Sequence, residues 1–353
     1  MHAIADLCRG ILLSLMVVQL ILPISPSKAE IYRWQDKDGH RHFSDSPPPN
    51  APIEHRSIPE REPHAAPPET HSDQTPAPGA ERPSDQAALQ GGLLWRISQG
   101  SAAPSYLLGT IHSADPRVVR LRPAVAQALD QSERFIMEMV PDPAAMAELA
   151  MRMLITDGRD LEALLGTTLY DQVKKAMGDY GMPEAAVRNM KPWAVMAMLS
   201  TPKPSADPIL DLVLYQRAAT AGKPAAGLET AGEQLAVFDG LPLPDQIELL
   251  KLTMAQLTDL PRFFDRLIDA YASDDLRGIA DLNEANRRQN DSETVRRFSR
   301  RLIDDRNHLM LARMTPYLRQ GKSFVAVGAL HLSGPNGLLQ LLQENGYTVK
   351  SIR

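Results

Sequence analysis

Brief apolar runs and longer mixed stretches follow one another along the chain, and their lengths predict its secondary structure. After residue 90, several apolar runs end at turn residues, which predicts strands because such runs are too short for helices. Stretches over about 143–222 and 230–320 predict helices that are broken at glycines and prolines. The predicted strands cover residues 93–98, 106–111, 134–140, 223–229, 324–330 and 347–352.

This order of elements predicts an α/β fold. Its central mixed β-sheet is formed by two strand-bearing halves, which a large helical insertion separates. The chain has 353 residues, enough for one large domain with a sizeable core and smaller additions. We therefore expect one α/β domain over residues 91–353, preceded by segments of a different character.

The first 29 residues are typical of a secretory signal peptide. Arg9 precedes an apolar run over 11–24, and small residues at Ser27 and Ala29 suit a cleavage site. The sequence therefore predicts a periplasmic or secreted protein with no stable membrane span after cleavage. An uncleaved anchor is the alternative interpretation of the same segment.

Two further segments precede the α/β domain. Residues 30–49 contain two aromatic-rich alternating stretches around Asp38-Gly39, which predicts a small β-hairpin domain. Residues 50–90 contain eight prolines among polar residues, which predicts a disordered linker. The hairpin segment resembles a small domain of unknown function that follows the signal peptide of many exported proteobacterial proteins. The matching residues are Tyr32, Trp34, Asp36, Gly39 and Ser44 to Pro48.

Charge and cysteine content narrow the classes of function. The formal net charge is −5, so nothing in the whole chain favours binding to nucleic acid. The one cysteine, Cys8, lies in the predicted signal peptide, and the mature chain would have none. Disulfides, thiol catalysis and thiolate metal sites are therefore excluded for the mature protein.

Two Gly-x-x-His segments lie where predicted strands end: Gly109 with His112, and Gly328 with His331. Within a strand, residues three apart point to opposite faces, so each glycine would allow close packing behind its histidine. In open α/β sheets, ligands bind at the carboxyl ends of strands. We expect both histidines to converge on one site there; the alternative is that each one only caps a turn.

Two carboxylates also lie within or at the end of predicted strands. Glu138 lies among apolar residues of a predicted strand, and an unpaired buried charge is unfavourable. It should therefore lie near the strand exit and pair with a metal, an arginine or a histidine, unless the strand is an exposed edge. Glu229 ends another predicted strand just before Thr230, a candidate helix N-cap, so its alternative role is to stabilise a helix start.

Two histidines and one or two carboxylates are suitable ligands for Zn²⁺, Mn²⁺ or Co²⁺. Three protein ligands with an open position would activate water. Arg306 and Asn307 head an apolar helical run and could reach the same end of the sheet. Motifs of zinc-protease helices, serine-hydrolase elbows and nucleotide-binding loops are absent from the sequence.

From about residue 93 to 352 the chain resembles the TraB/PrgY/GumN family, which includes the Tiki membrane-associated proteases. One departure is Ser205-Ala-Asp207, where family members commonly have a glycine before the aspartate. The matching residues are Leu94 to Ile97, Tyr106 to His112, Asp115-Pro116, Glu138, Gly227 to Thr230, Arg306-Asn307, Val327 to Leu332 with Gly334, and Gly346-Tyr347.

The resemblance implies metal-dependent peptide hydrolysis, since the two Gly-x-x-His motifs and a glutamate are implicated in it in Tiki-type members. It makes His112 and His331 metal ligands, or one ligand and one base, with Glu138 as the matching carboxylate. It also implies a fold similar to that of erythromycin esterases and ChaN-like haem-uptake proteins.

Our first hypothesis is an exported metal-dependent hydrolase acting on a peptide or small molecule. Its catalytic set is His112, His331, Glu138, Arg306 and Asn307, and its metal ligands are His112, His331, Glu138 and Glu229. The imidazoles and the Glu138 carboxylate should then lie within about 4–8 Å of one another. The alternative is a non-catalytic protein that holds a metal, haem or signalling peptide in the same cleft. No oligomeric state is predicted.

Overall fold

The computed structural model describes residues 32–35, 41–44, 91–203, 205–289 and 292–352. The predicted signal peptide at 1–29 and the predicted linker at 50–90 lie outside the described residues. In the N-terminal segment, strands β1 (Tyr32–Gln35) and β2 (Arg41–Ser44) pair antiparallel, with Tyr32 opposite Ser44. These two strands belong to one unit of the structure, and residues 91–352 belong to the other.

The larger unit is built on a six-stranded mixed sheet with the strand order β6-β5-β7-β4-β3-β8. β6, β5, β7 and β4 run parallel to one another, whereas β3 pairs antiparallel with β4 and β8. The predicted α/β class with a mixed sheet is therefore confirmed. The strands are β3 (Leu94–Ser98), β4 (Ser105–Thr110), β5 (Arg134–Met137), β6 (Ala225–Gly227), β7 (Ser323–Gly328) and β8 (Thr348–Ile352).

Helices fill the long intervals between these strands. Among the described residues, no helix combines the length and apolar character needed to cross a membrane. The helices are α1 (Pro116–Val119), α2 (Pro123–Gln131), α3 (Pro143–Arg152), α4 (Leu161–Leu165), α5 (Thr167–Asp179), α6 (Glu184–Arg188), α7 (Pro192–Leu199), α8 (Leu210–Thr220), α9 (Ala231–Asp239), α10 (Leu243–Gln256), α11 (Leu260–Ala272), α12 (Leu276–Gln289), α13 (Glu293–Ser299), a π-helix (Arg300–Asp304), α14 (Asp305–Gln320), a 3-10 helix (Ala329–His331) and α15 (Leu338–Glu344).

The apolar residues form two cores that meet beside the end of β5. The sheet core packs helices α2, α8, α11, α12, α14 and α15 against the strands, and Phe135, Val325 and Phe263 belong to it. The helical core lies among α3 to α7, α9, α10 and α13, and Trp193, Phe238 and Phe298 belong to it. Met137 packs in the sheet core and Met139 in the helical core, so Glu138 lies between the two.

Three local predictions are wrong. The strands predicted over 134–140 and 324–330 are shorter than expected: β5 ends at Met137 and β7 ends at Gly328. In both places the backbone turns although the apolar run continues. His112 and His331 therefore lie beyond their strands, and the argument from opposite strand faces does not apply to them. α8 begins at Leu210 after Ile209, so Asp207 lies outside this helix and is exposed.

Gly109 allows the segment after β7 to pack closely against β4. A Cβ atom at this position would lie 2.8 Å from Leu332 Cδ1 and 3.1 Å from Ala329 Cα. The 3-10 helix that carries His331 therefore depends on the missing side chain, as the sequence pattern suggested.

We expect Gly109→Ala to lower the free energy of unfolding by about 1–3 kcal/mol, because the added methyl overpacks this contact. Gly178→Ala in α5 is the matched control, since its Cβ would meet no atom within 4 Å. Helix propensity predicts that this control is neutral or stabilising by up to about 1 kcal/mol. Urea unfolding measures both, and equal stability of the two variants would contradict the close-packing role of Gly109.

Candidate functional site

A polar cluster lies at the carboxyl ends of the four parallel strands. Glu229 follows β6, Glu138 follows β5, His331 follows β7 and His112 follows β4, so adjacent strands each deliver one residue. Their exposed fractions are 6%, 2%, 0% and 8%, respectively. The cluster is therefore a buried layer of ionisable side chains at the sheet edge where α/β folds bind ligands.

Glu138 is held from two sides. Its Oε1 accepts a hydrogen bond from the Gly328 backbone N–H at 2.7 Å, and its Oε2 accepts one from Arg306 Nη2 at 2.6 Å. β5 lies between β6 and β7, so the alternative of an exposed edge strand is wrong. Burial opposes ionisation of Glu138 and is the largest single influence on it, but Arg306, the two histidines and the Gly328 N–H together outweigh burial and lower the pKa of this carboxyl to about 2. Glu138 is ionised at neutral pH.

Arg306, on α14, joins the two glutamates. Its Nε and Nη2 donate to Glu229 Oε1 and Oε2 at 2.8 and 2.7 Å, and its Nη1 donates to the Leu302 carbonyl at 3.2 Å. This bidentate geometry is the strong form of an arginine–carboxylate pair. Burial would lower the pKa of Arg306, but the Glu138 and Glu229 carboxylates raise it, so the guanidinium stays charged. Two carboxylates and one guanidinium leave the cluster with excess negative charge.

The start of α9 completes this network. Thr230 is the N-cap, as predicted, and forms a capping box with Glu233. Gln234 Nε2 donates to Glu229 Oε2 at 3.2 Å and to Glu138 Oε2 at 3.4 Å. Both oxygens of Glu229 therefore bind the charged guanidinium of Arg306, whereas Glu138 Oε1 accepts only a backbone N–H. This leaves Glu229 better suited to orienting Arg306 than to binding a metal.

His331 is held through Asn307. Asn307 Nδ2 donates to the Asn336 carbonyl at 2.8 Å, which directs Asn307 Oδ1 toward His331 Nδ1 at 2.7 Å. The hydrogen-bond network thus assigns the proton to Nδ1 and the lone pair to Nε2, which lies 3.7 Å from Glu138 Oε1. Burial lowers the pKa of His331 to about 3, although the Glu138 charge opposes this shift. The imidazole is therefore neutral at physiological pH.

His112 lies beside a buried aspartate that the sequence did not single out. Its Nε2 is 3.8 Å from Asp211 Oδ2, and neither His112 ring nitrogen has a hydrogen-bond partner among the described residues. Asp211 Oδ1 accepts a hydrogen bond from Thr110 Oγ1 at 2.8 Å, whereas its Oδ2 has no hydrogen-bond partner in the same part of the chain. Burial raises the pKa of Asp211, partly offset by His112. These unsatisfied buried atoms are suited to a ligand that the two side chains would share.

Asp211 and Gln234 are the members of the site that were not predicted. Asp211 occupies the buried face of α8 with Leu214 and Ala218, spaced by three and four residues. An acidic residue on the apolar stripe of a helix is the signal that could have identified it. Gln234 has no such signal, because a glutamine in the first turn of a helix is ordinary.

The donor set fits a divalent cation, although no three His, Cys, Asp or Glu side chains among the described residues converge into a metal-binding group. Tetrahedral ligands with bonds of about 2.0–2.2 Å lie about 3.3–3.6 Å apart. The pairs His331–Glu138 and His112–Asp211, at 3.7 and 3.8 Å, are only slightly wider. Imidazole and carboxylate donors with excess negative charge suit Zn²⁺, Mn²⁺ or Co²⁺.

The structure brings the six predicted residues into this one region. His112, His331, Glu138 and Glu229 lie at adjacent strand ends, and Arg306 and Asn307 reach them from α14. Ser205-Ala-Asp207, the departure from the family pattern, is exposed, and its hydrogen bonds in the described structure are local ones between Ser205 and Asp207.

Comparison with known proteins gives two family matches. The model of the TraB/PrgY/gumN family matches residues 93–351, and that of a domain of unknown function (DUF4124) matches residues 20–86. The resemblance inferred from the sequence motifs is confirmed. No solved structure matches the chain.

Several curated relatives are named as metalloproteases. "Metalloprotease TIKI1" of Danio rerio is 26% identical over an alignment of 310 residues, which covers 73% of this chain and 62% of that protein. "Metalloprotease TIKI2" of Xenopus tropicalis is 26% identical over 312 residues, or 73% and 59%. "Metalloprotease TIKI1" of Homo sapiens is 25% identical over 311 residues, or 73% and 61%. The chain thus spans about three fifths of the length of these relatives.

We expect Arg306→Met to destabilise the metal-free protein by about 3–5 kcal/mol at pH 7, because it leaves Glu138 and Glu229 buried without a counter-charge. The wild-type contribution of Glu138 is present above the ordinary glutamate pKa and is lost as pH falls toward 2. Without the arginine, burial raises the pKa of Glu138. The stability lost through the substitution should therefore become smaller as the pH falls from 7 to 4.

Arg313→Met is the matched control on the same helix. Arg313 pairs with Glu233 at 2.7 Å but is partly exposed. Its substitution should therefore lower the free energy of unfolding by only about 0–1 kcal/mol. Urea unfolding at both pH values measures the two variants. A loss in Arg306→Met no greater than that in Arg313→Met at pH 7 would show that the buried network does not hold the site together.

Proposed function

The chain belongs to the TraB/PrgY/gumN family, and we propose that it is an exported, metal-dependent hydrolase that acts on peptides. The observation that carries this proposal is the pair of buried histidines beside Glu138, one of which, His112, has both ring nitrogens free of hydrogen bonds among the described residues. The names of the curated relatives support metal-dependent proteolysis. Export rests on the predicted signal peptide, and a fold similar to erythromycin esterases and ChaN-like proteins is part of the same proposal.

In this proposal, His112, His331 and Glu138 hold the metal, and Asp211 lies close enough to assist. A divalent metal bound there supplies Lewis-acid chemistry, since it polarises a carbonyl group and makes water more acidic. The reaction adds water across the peptide C–N bond, so that the hydroxyl joins the carbonyl carbon and the proton leaves with the amine. For this reaction, the side chains that bind the metal must be held in a fixed orientation and must be electron-rich.

The chain itself supplies that orientation. Asn307 fixes the tautomer of His331, and Asp211 is placed to orient His112, because its Oδ2 lies 3.8 Å from His112 Nε2. Such outer partners commonly orient metal-binding histidines and strengthen them as ligands. Arg306 donates to one oxygen of Glu138. Glu229 accepts from Arg306 and so holds the guanidinium in place, and Gln234 donates to the same Glu138 oxygen. The second Glu138 oxygen then faces His331.

We expect His112→Ala and His331→Ala each to lower metal affinity or peptide turnover by at least about 100-fold. The purified mature chain would be stripped of metal and reloaded with Mn²⁺, Co²⁺ or Zn²⁺, with metal content measured by elemental analysis and cleavage of a peptide library by mass spectrometry. His308→Ala is the matched control, because His308 is an exposed histidine on α14 beside the site.

The two readouts separate the hypotheses. Metal-dependent cleavage that both histidine variants lose supports the hydrolase. Stoichiometric metal binding without turnover supports the non-catalytic binding protein instead. If His112→Ala and His331→Ala behave like His308→Ala in both readouts, the metal site is elsewhere.

We expect Asp211→Asn to stabilise the metal-free protein but weaken metal binding. The raised pKa of Asp211 means that its contribution to stability is lost as pH rises above the ordinary aspartate range. A neutral amide should therefore raise the free energy of unfolding at pH 7 by about 1–3 kcal/mol while keeping the acceptor for Thr110. Metal affinity should fall by about 10–100-fold, because the charge that orients His112 is removed.

Urea unfolding and metal titration of the same variant measure these opposite effects. A purely structural role for Asp211 would instead lower stability and leave metal affinity unchanged in the folded fraction. Asp211→Glu, which restores the charge, should recover part of the metal affinity.

A further inference from the structure

His331 and the carbonyl group that orients it belong to one short segment of the chain. The 3-10 helix ends at His331 and α15 begins at Leu338, so a single turn over residues 332–337 connects them. Asn336, near the end of this turn, has the carbonyl oxygen to which Asn307 Nδ2 donates at 2.8 Å. Asn307 Oδ1 in turn lies 2.7 Å from His331 Nδ1. These contacts close a ring that runs from His331 through the turn and Asn307 back to the imidazole.

The Asn336 carbonyl decides which way the Asn307 amide points. A carbonyl oxygen can only accept hydrogen bonds, so it binds the NH2 group of Asn307 and leaves Asn307 Oδ1 facing His331. A reversed amide would place two oxygen acceptors against each other at Asn336. Asn307 and His331 are both completely buried, so bulk water does not compete for these bonds.

Glu138 favours the opposite tautomer of His331. The Oε1 atom of this ionised carboxylate lies 3.7 Å from His331 Nε2, and a carboxylate attracts an N–H group. Without the acceptor on Asn307, the neutral imidazole would therefore carry its proton on Nε2 and direct it at Glu138. The hydrogen bond at Nδ1 opposes this preference and keeps the lone pair on Nε2.

The turn that holds the carbonyl is fixed by its own backbone. Gly334 has a φ of +96°, which L side chains rarely adopt, and its carbonyl accepts a hydrogen bond from the Gly337 N–H at 2.9 Å. The Leu332 carbonyl accepts a second one from the Leu339 N–H at 3.2 Å. The position of the Asn336 carbonyl therefore depends on the conformation at Gly334.

We infer that the turn over residues 332–337 is a positioning element that holds His331 in the Nδ1-protonated tautomer against the attraction of Glu138. The inference concerns the metal-free protein, and only its consequence for metal binding rests on the proposed function. Gly334 is then a positioning residue, because it acts on His331 through the Asn336 carbonyl and Asn307.

Gly334→Pro tests this inference, since proline fixes φ at about −65° and the turn cannot keep its conformation. In the metal-free wild type, long-range proton–nitrogen NMR correlations of the His331 ring should show the proton on Nδ1. In Gly334→Pro the ratio of the two tautomers should shift toward Nε2 by at least about 10-fold. Gly158→Pro is the matched control between α3 and α4, and it should keep the wild-type tautomer. Gly158 has a φ of +84°, and a Cβ atom at either glycine would meet no atom within 4 Å.

Asn307→Leu is the second variant, because it removes the link between the carbonyl and the ring and leaves the turn sequence intact. It should shift the tautomer in the same direction, and it decides the question if Gly334→Pro does not fold. A wild-type ring protonated on Nε2 overturns the inference, as does an unchanged tautomer in either folded variant.

A Zn²⁺ titration separates this positioning role from the proposed function. Zn²⁺ affinity should fall by about 10–100-fold in Gly334→Pro relative to Gly158→Pro, because the Nε2 lone pair is lost. A shifted tautomer with unchanged Zn²⁺ affinity supports the role of the turn and removes His331 from the proposed metal ligands.

Discussion

The ion pairs of Arg306 with Glu138 and Glu229 are the interaction on which the site depends. They tie α14 to the ends of β5 and β6, and they are made in a buried layer where each partner alone would be unstable. The π-helix of Arg300–Asp304 ends just before α14, and the Leu302 carbonyl within it accepts a hydrogen bond from Arg306. A π-helix next to a buried ion pair is consistent with a functional reason for the local irregularity.

The position of Glu138 between two apolar cores explains how that layer stays buried. Met137 and Met139 anchor the backbone on either side in different cores, so the carboxylate between them cannot turn outward to water. The chain then satisfies it from within, through the Gly328 N–H and the Arg306 guanidinium. Replacing such a network by apolar residues is often neutral or stabilising, so its presence is better explained by the chemistry of the site than by stability.

Local signals in the sequence were sufficient to predict the sheet and six residues of the site. A glycine and a histidine where an apolar run ends, or a glutamate within such a run, conflict with ordinary packing and therefore stand out. Strand ends were less predictable, because the apolar run of β7 continues through Ala329 and Leu330 into the 3-10 helix. Asp211 is adjacent only in the fold, since α8 reaches Thr110 across 101 positions of sequence. No local pattern encodes that contact.

The two histidines are held unequally, and this asymmetry bears on how the site would assemble. His331 is fixed by Asn307 with no ligand present, whereas His112 and Asp211 keep buried atoms without hydrogen-bond partners among the described residues. Each unsatisfied buried group costs about 1–3 kcal/mol, so a cation shared by them would recover free energy that the fold alone does not. Binding would then stabilise the protein through the His112 side of the cluster.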